Sequence, residues 1–169
     1  MLKQIFLDIE AKLKEITDDG IEPYFKHFDL WNRQVEFMEL ETGLSFPAIF
    51  IEFFPLDWHN QAQKIQDADL AIRLHIVTEW YADSADNTPQ PFRDKSLAVL
   101  DIENRVFCTL QHFAPTNCNR FMRTKTTINH DHETHIDTQQ EYVCHVTDTS
   151  AGIGEHIYIN VDTVVKPQK

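Results

Sequence analysis

The chain is short of glycine, of paired cysteines, of positive charge and of long apolar runs. It has four glycines in 169 residues. These leave no loop to cradle a phosphate, and neither G-x-x-x-x-G-K-[ST] nor G-x-G-x-x-G occurs. Gly152-Ile153-Gly154 lacks a third glycine and a following helix, so it reads as a turn. No G-x-S-x-G elbow is present to hold a nucleophile. Cys108, Cys118 and Cys144 are odd in number and are nowhere spaced as C-x-x-C. That argues against a disulfide framework and suits a reducing compartment. Cys108 in a helical pattern and Cys144 in a strand are expected to be buried, and Cys118 in a loop is expected to be the exposed thiol. No segment approaches the roughly 20 apolar residues that span a bilayer. Asp8 and Glu10 interrupt the N-terminal apolar residues too early for a signal peptide, so a soluble, cytoplasmic protein is expected. Lys and Arg number 15 against 27 Asp and Glu, a formal net charge of −12. Such a surface favours solubility and repels nucleic-acid backbone, whose binding depends on cationic side chains.

What is present is a clear succession of apolar patterns. Leu2, Ile5, Phe6, Ile9, Leu13 and Ile16 predict an amphipathic helix over 2–16, with Gly20 as its C-terminal cap. Tyr24, Phe25, Phe28, Leu30 and Trp31 form an aromatic cluster, and residues 33–40 alternate weakly as a strand would. Residues 46–54 are almost wholly apolar, so this strand should be covered on both faces. Pro47 suits its first position and Pro55 its end. Residues 57–67 are polar and read as a connection. Residues 69–80 alternate cleanly: Leu70, Ile72, Leu74 and Ile76 form one face, and Ala71, Arg73, His75 and Val77 the other. Residues 81–93 contain Pro89 and Pro91 and read as an exposed loop. A helix follows from Asp94 or Ser96 to about His112, with Leu97, Leu100, Phe107 and Leu110 as its expected stripe, broadened by Val99, Val106 and Phe113. Residues 120–128 and 138–148 look like an antiparallel pair joined by a polar, exposed connection over 129–137. Residues 157–165 could add a last strand. This order predicts a single α+β domain over 1–169: a mixed, mainly antiparallel sheet with two main helices packed on it.

The candidate chemistry is sparse. His130, His132 and His135 lie close together with Asp131 and Glu133 between them and Asp137 just beyond, and imidazoles with carboxylates can bind zinc. The segment reads as a hairpin tip, however, and a solvated polar loop is the plainer expectation. His75 shares a strand face with Arg73, and His145 lies on a later strand. Acid–base catalysis would need a partner that the sequence does not identify. Glu52 sits within an apolar strand and must be paired, with Arg73 on a neighbouring strand the expected partner. No catalytic, cofactor-binding or metal-ligating residue is assigned, and no cofactor is expected.

The arrangement resembles the tail terminator, or tail completion, proteins of long-tailed bacteriophages and prophages, also described as minor tail or head–tail joining proteins. The features that carry the resemblance are the helix at Leu2–Ile16, the Phe-Pro-Ala-Ile start of a strand at Phe46–Ile49, and the alternating strand from Ile72 to Tyr81. An acidic loop, the Leu-x-x-Leu-Asp-x-x-x-x-Val helix at Leu97–Val106 and a closing strand pair complete them. The resemblance covers roughly residues 1–148. It implies a non-enzymatic subunit of a homo-oligomeric ring, a hexamer, that caps the tail tube and joins it to the head. Its partners would be other copies, the tail tube protein and head-side connectors. It would reside in the bacterial cytoplasm during assembly and then in the virion tail, without membrane or sequence-specific nucleic-acid contact. Acidic surface would let DNA slide through such a ring. Another neck, baseplate or contractile-injection module, or a metal-dependent enzyme using residues 130–135, are the alternatives.

Overall fold

A computed structural model describes residues 1–18, 20–36, 44–79, 84–129 and 135–152. Helix α1 spans Leu2–Leu13 and buries Ile5, Ile9 and Leu13. It ends three residues earlier than the apolar spacing predicts. Ile16 remains buried, but from the turn that follows, where Thr17 bridges Pro23. Gly20, at φ 80°, lies inside that turn and does not cap the helix.

Strand β1 (His27–Leu30) lies within the aromatic cluster and runs parallel to β2 (Ala48–Phe53). The strand expected over 33–40 is absent at its start: Gln34–Glu36 form a 3-10 turn, and 37–40 lie outside the described residues. The polar connection at 57–67 is instead a hairpin. Strand β3 (His59–Ala62) turns into β4 (Ile65–Glu79) through Lys64 at φ 65°. All four β3 residues are exposed, so no face imposes a period of two on them.

Helix α2 (Gln90–Leu110) starts four residues before Asp94. Pro89 and Pro91 do not prevent this, because N–H groups in a first helical turn have no intrahelical partner to lose. Of the loop expected over 81–93, residues 84–89 remain, nearly all exposed, while 81–83 lie outside the described residues. The buried stripe of α2 is Ile102, Val106 and Leu110. Leu97 and Leu100, expected within it, are exposed, as is Phe92. The core begins to cover α2 only near Val99, so its first turns face away. Strand β5 (Met122–Asn129) pairs with β6 (His135–Asp148). The connection expected over 129–137 is therefore shorter: Asn129 belongs to β5, and His135 and Asp137 are buried in β6. Residues 130–134 and the strand expected at 157–165 lie outside the described residues.

The strand order is β1-β2-β4-β6-β5, with β3 also pairing β4, and only β1–β2 is parallel. The fold is α+β, with a mixed, mainly antiparallel sheet. Both helices pack on one face, over Ile49 and Ile51, over Leu70, Ile72, Leu74 and Ile76, and over Tyr142 and Val146. A smaller cluster of Val35, Ala48, Phe50 and Val77, flanked by Trp31, Leu44 and Phe46, covers the other face at β2. The apolar run of β2 is thus buried on both sides, as expected. Cysteine burial departs from expectation. Cys108 is exposed, Cys144 is buried, and Cys118 is half-buried because it bridges Val146.

One polar network enters the helix-side core. The Thr138 hydroxyl donates to the Glu103 carboxylate at 2.8 Å, and the Gln140 amide donates to the Glu103 carbonyl at 2.9 Å. The buried Tyr142 hydroxyl donates to Gln140 at 2.7 Å. Burial pushes the Glu103 carboxyl up, with the Thr138 bond and Arg123 opposing it in part. A raised folded pKa adds stability below the ordinary carboxylate range, and that contribution is lost as pH rises through the folded value. Glu103→Gln keeps the acceptor without the charge. At pH 7 the substitution should raise the melting temperature by about 1–3 °C, the scale of a fraction of a kcal/mol in a domain this size. The gain should vanish near pH 3, and an equal gain at both pH values would contradict the assignment.

Candidate functional site

The sheet face turned away from the helices gathers most of the polar residues on which chemistry could rest. Registers of β2 with β4 and of β4 with β6 set Glu52, Arg73 and Glu141 side by side. Arg73 lies between the two carboxylates. Its Nη1 donates to Glu52 Oε2 at 3.0 Å, and its Nη2 and Nε donate to Glu141 Oε1 at 2.9 and 3.2 Å. The guanidinium also lies 4.8 Å from the Phe54 ring centroid. The expected Glu52–Arg73 pair is therefore present, with Glu141 as a third member.

Two residues along β4, His75 is 2 % exposed. Its Nδ1 approaches the Asp137 carboxylate at 3.0 and 3.2 Å. A carboxylate can only accept, which assigns the ring proton to Nδ1. The Gln139 amide donates to the same carboxylate at 2.8 Å. Trp31, just past β1, stacks on the imidazole with centroids 3.6 Å apart and planes 4° from parallel. His75 Nε2 is buried and faces Glu52 Oε2 at 3.6 Å, beyond hydrogen-bond range.

An imidazole oriented by a carboxylate is the arrangement of a general base. Here the ring face lies under Trp31, one nitrogen is held by Asp137, and the other points at a carboxylate. A base must reach the proton that it takes, and this one is sealed. His75 ties β4 to β6, and Arg73 joins both to β2.

The remaining histidines divide. His145 lies further along this face, with Nδ1 3.1 Å from Asp69 and Nε2 3.2 Å from Asp67. His135 is buried and stacks against Phe46 with centroids 6.3 Å apart. His130 and His132 lie outside the described residues. Among the described residues, no three His, Cys, Asp or Glu side chains are grouped to hold a metal ion. A cleft of about 460 Å³ between α1 and β1 is lined by Glu10, Lys14, Glu22, Lys26, His27 and Phe28. Its lysines are engaged, Lys14 with Glu10 and Lys26 with the Pro23 carbonyl.

Sequence reasoning placed Trp31 only in an aromatic cluster and Asp137 only beside the histidine-rich segment, and it missed Glu141. Polar side chains occupy both faces of β6, so no alternation separates Asp137, Gln139 and Glu141 from Thr138 and Gln140. Comparison with known proteins finds no family model that matches the chain and no curated relative.

Proposed function

We propose that the protein is a structural component of a phage or prophage tail, forming a ring that terminates the tail tube and joins it to the head. One observation carries the reading. The ionisable groups at the centre of the sheet face away from the helices are spent on ties between strands, and the histidine that could act as a base is sealed beneath Trp31. A plate whose outer strands are, among the described residues, paired on one side only suits assembly, where each subunit presents two different surfaces to its neighbours and the rotation closes. The net charge of −12 supports the same reading, because an acidic channel does not trap passing DNA. On this reading the function is structural rather than enzymatic. The partners are further copies of the chain, the tail tube and the head-side connector.

Light scattering over a wide concentration range at near-physiological salt tests the reading, with and without purified tail tubes. The expected result is a single closed multiple of the 19.8 kDa chain. The resemblance implies six copies. A chain that stays monomeric alone and in the presence of tubes would remove this function.

A further inference from the structure

The sheet ends in an edge that is long enough to take another strand. β5 has eight residues, against four each in β1 and β3, and among the described residues it is paired on one side only. Six of its eight residues are exposed, including Met122 and Ile128. From Lys125 to Ile128 its register with β6 is regular, so alternate backbone N–H and C=O groups point away from the sheet. The edge is also basic within an acidic chain. Lys125 lies in it and Arg120 just before it, with no carboxylate between Asn119 and Asn129, while Arg123 is turned onto the Phe107 ring of α2.

The chain beyond Gly152 carries a matching segment. Ile157, Ile159, Val161, Thr163 and Val165 are β-branched at every second position, with no Gly or Pro among residues 157–165. Its charged residue is Asp162, with Glu155 shortly before it, opposite in sign to the β5 edge. We propose that residues 157–165 of one copy add as a strand to the outer edge of β5 in the neighbouring copy, and that this exchange closes the ring. The inference rests on the ring reading.

Where the described chain ends favours a neighbour over the same copy. The 3-10 turn at Ser150–Gly152 contacts β4, two strands in from the β5 edge. β5 reaches along β6 only to Val143, five residues short of Asp148, or roughly 17 Å at strand spacing. The intervening edge of β6 is occupied by Cys118, which bridges Val146. The Asn119 N–H bonds the His145 carbonyl there, and the Thr147 N–H bonds the Asn117 carbonyl. Lateral travel from β6, which the turn directly follows, past β5 adds about 10 Å at 4.8 Å per strand. The direct path is then about 20 Å, whereas residues 153–157 extend at most about 18 Å. In a neighbouring copy, strand addition of this kind supplies backbone hydrogen bonds without that constraint.

Hydrogen exchange read by mass spectrometry on the full chain tests the proposal, at concentrations below and above assembly, together with a Val161→Pro chain. Proline removes a ladder donor from the added strand. The expected result is that β5 and residues 157–165 exchange fast in the monomer and slow together on assembly. Val161→Pro should stay at 19.8 kDa with an unchanged melting temperature. If the oligomer forms while β5 still exchanges fast, the exchange is overturned and the ring reading stands. If both segments are already protected in dilute monomer, or Val161→Pro melts lower as a monomer, the strand pairs within its own chain and the proposal fails. If the unaltered chain never assembles, alone or with tail tubes, the ring reading falls and takes the proposal with it.

Discussion

His75→Leu is expected to lower the free energy of unfolding by about 3 kcal/mol, the cost of leaving a buried acceptor without one of its hydrogen-bond donors. Asp137 is 1 % exposed and has two side-chain hydrogen bonds, from His75 and from Gln139. Leucine fills much of the imidazole volume but donates nothing, so the carboxylate keeps one partner and stays out of reach of water. The Trp31 ring also loses the flat surface on which it stacks. His75→Leu combined with Asp137→Leu should recover most of the loss, because an apolar pair leaves no unmet charge. Urea denaturation measures both chains, with the midpoint moving and the slope held. A His75→Leu chain within about 1 kcal/mol of the original would show that this pair does not stiffen the sheet.

Arg73→Met should cost somewhat less, about 2 kcal/mol, since side-chain exposures of 26 %, 29 % and 24 % for Arg73, Glu52 and Glu141 leave solvent to screen the charges. The loss arises from what remains. Two carboxylates from β2 and β6 would face each other across β4 without the cation that joins them. Adding Glu52→Gln and Glu141→Gln should return most of the stability, because the repulsion disappears with the charges. Salt should also relieve the single variant more than the triple variant, as screening acts only where like charges face each other. Equal salt responses would show that Arg73 acts through its packing on Phe54 instead.

The two predictions rest on residues that differ in how far the sequence exposes them. Glu52 stands out as a charge within an apolar strand, and Arg73 and His75 alternate with the core residues of β4, so their shared face follows from a period of two. Asp137 and Glu141 do not stand out, since β6 is polar on both sides along that stretch. Trp31 follows a four-residue strand that no alternation marks. The expected helix stripe at Leu97 and Leu100 failed for a related reason. The spacing identified an apolar face, but the sheet covers α2 only from about Val99 onward and selects Ile102, Val106 and Leu110. The hairpin at β3 went unread because its residues meet water on all sides.

Local patterning along the chain is enough to specify the class of the fold, the two helices, the central apolar strand and the inward face of β4. Each of these follows from a local period of hydrophobic residues, and burial enforces that period within a single element. The polar pairings on the face away from the helices, the ends of α2 and the short strands at the edges follow instead from how the elements pack together. Arg73 meets Glu141 across 68 positions of sequence, and His75 meets Asp137 across 62. Contacts of that span are set by the register between strands, to which no single strand's own pattern refers.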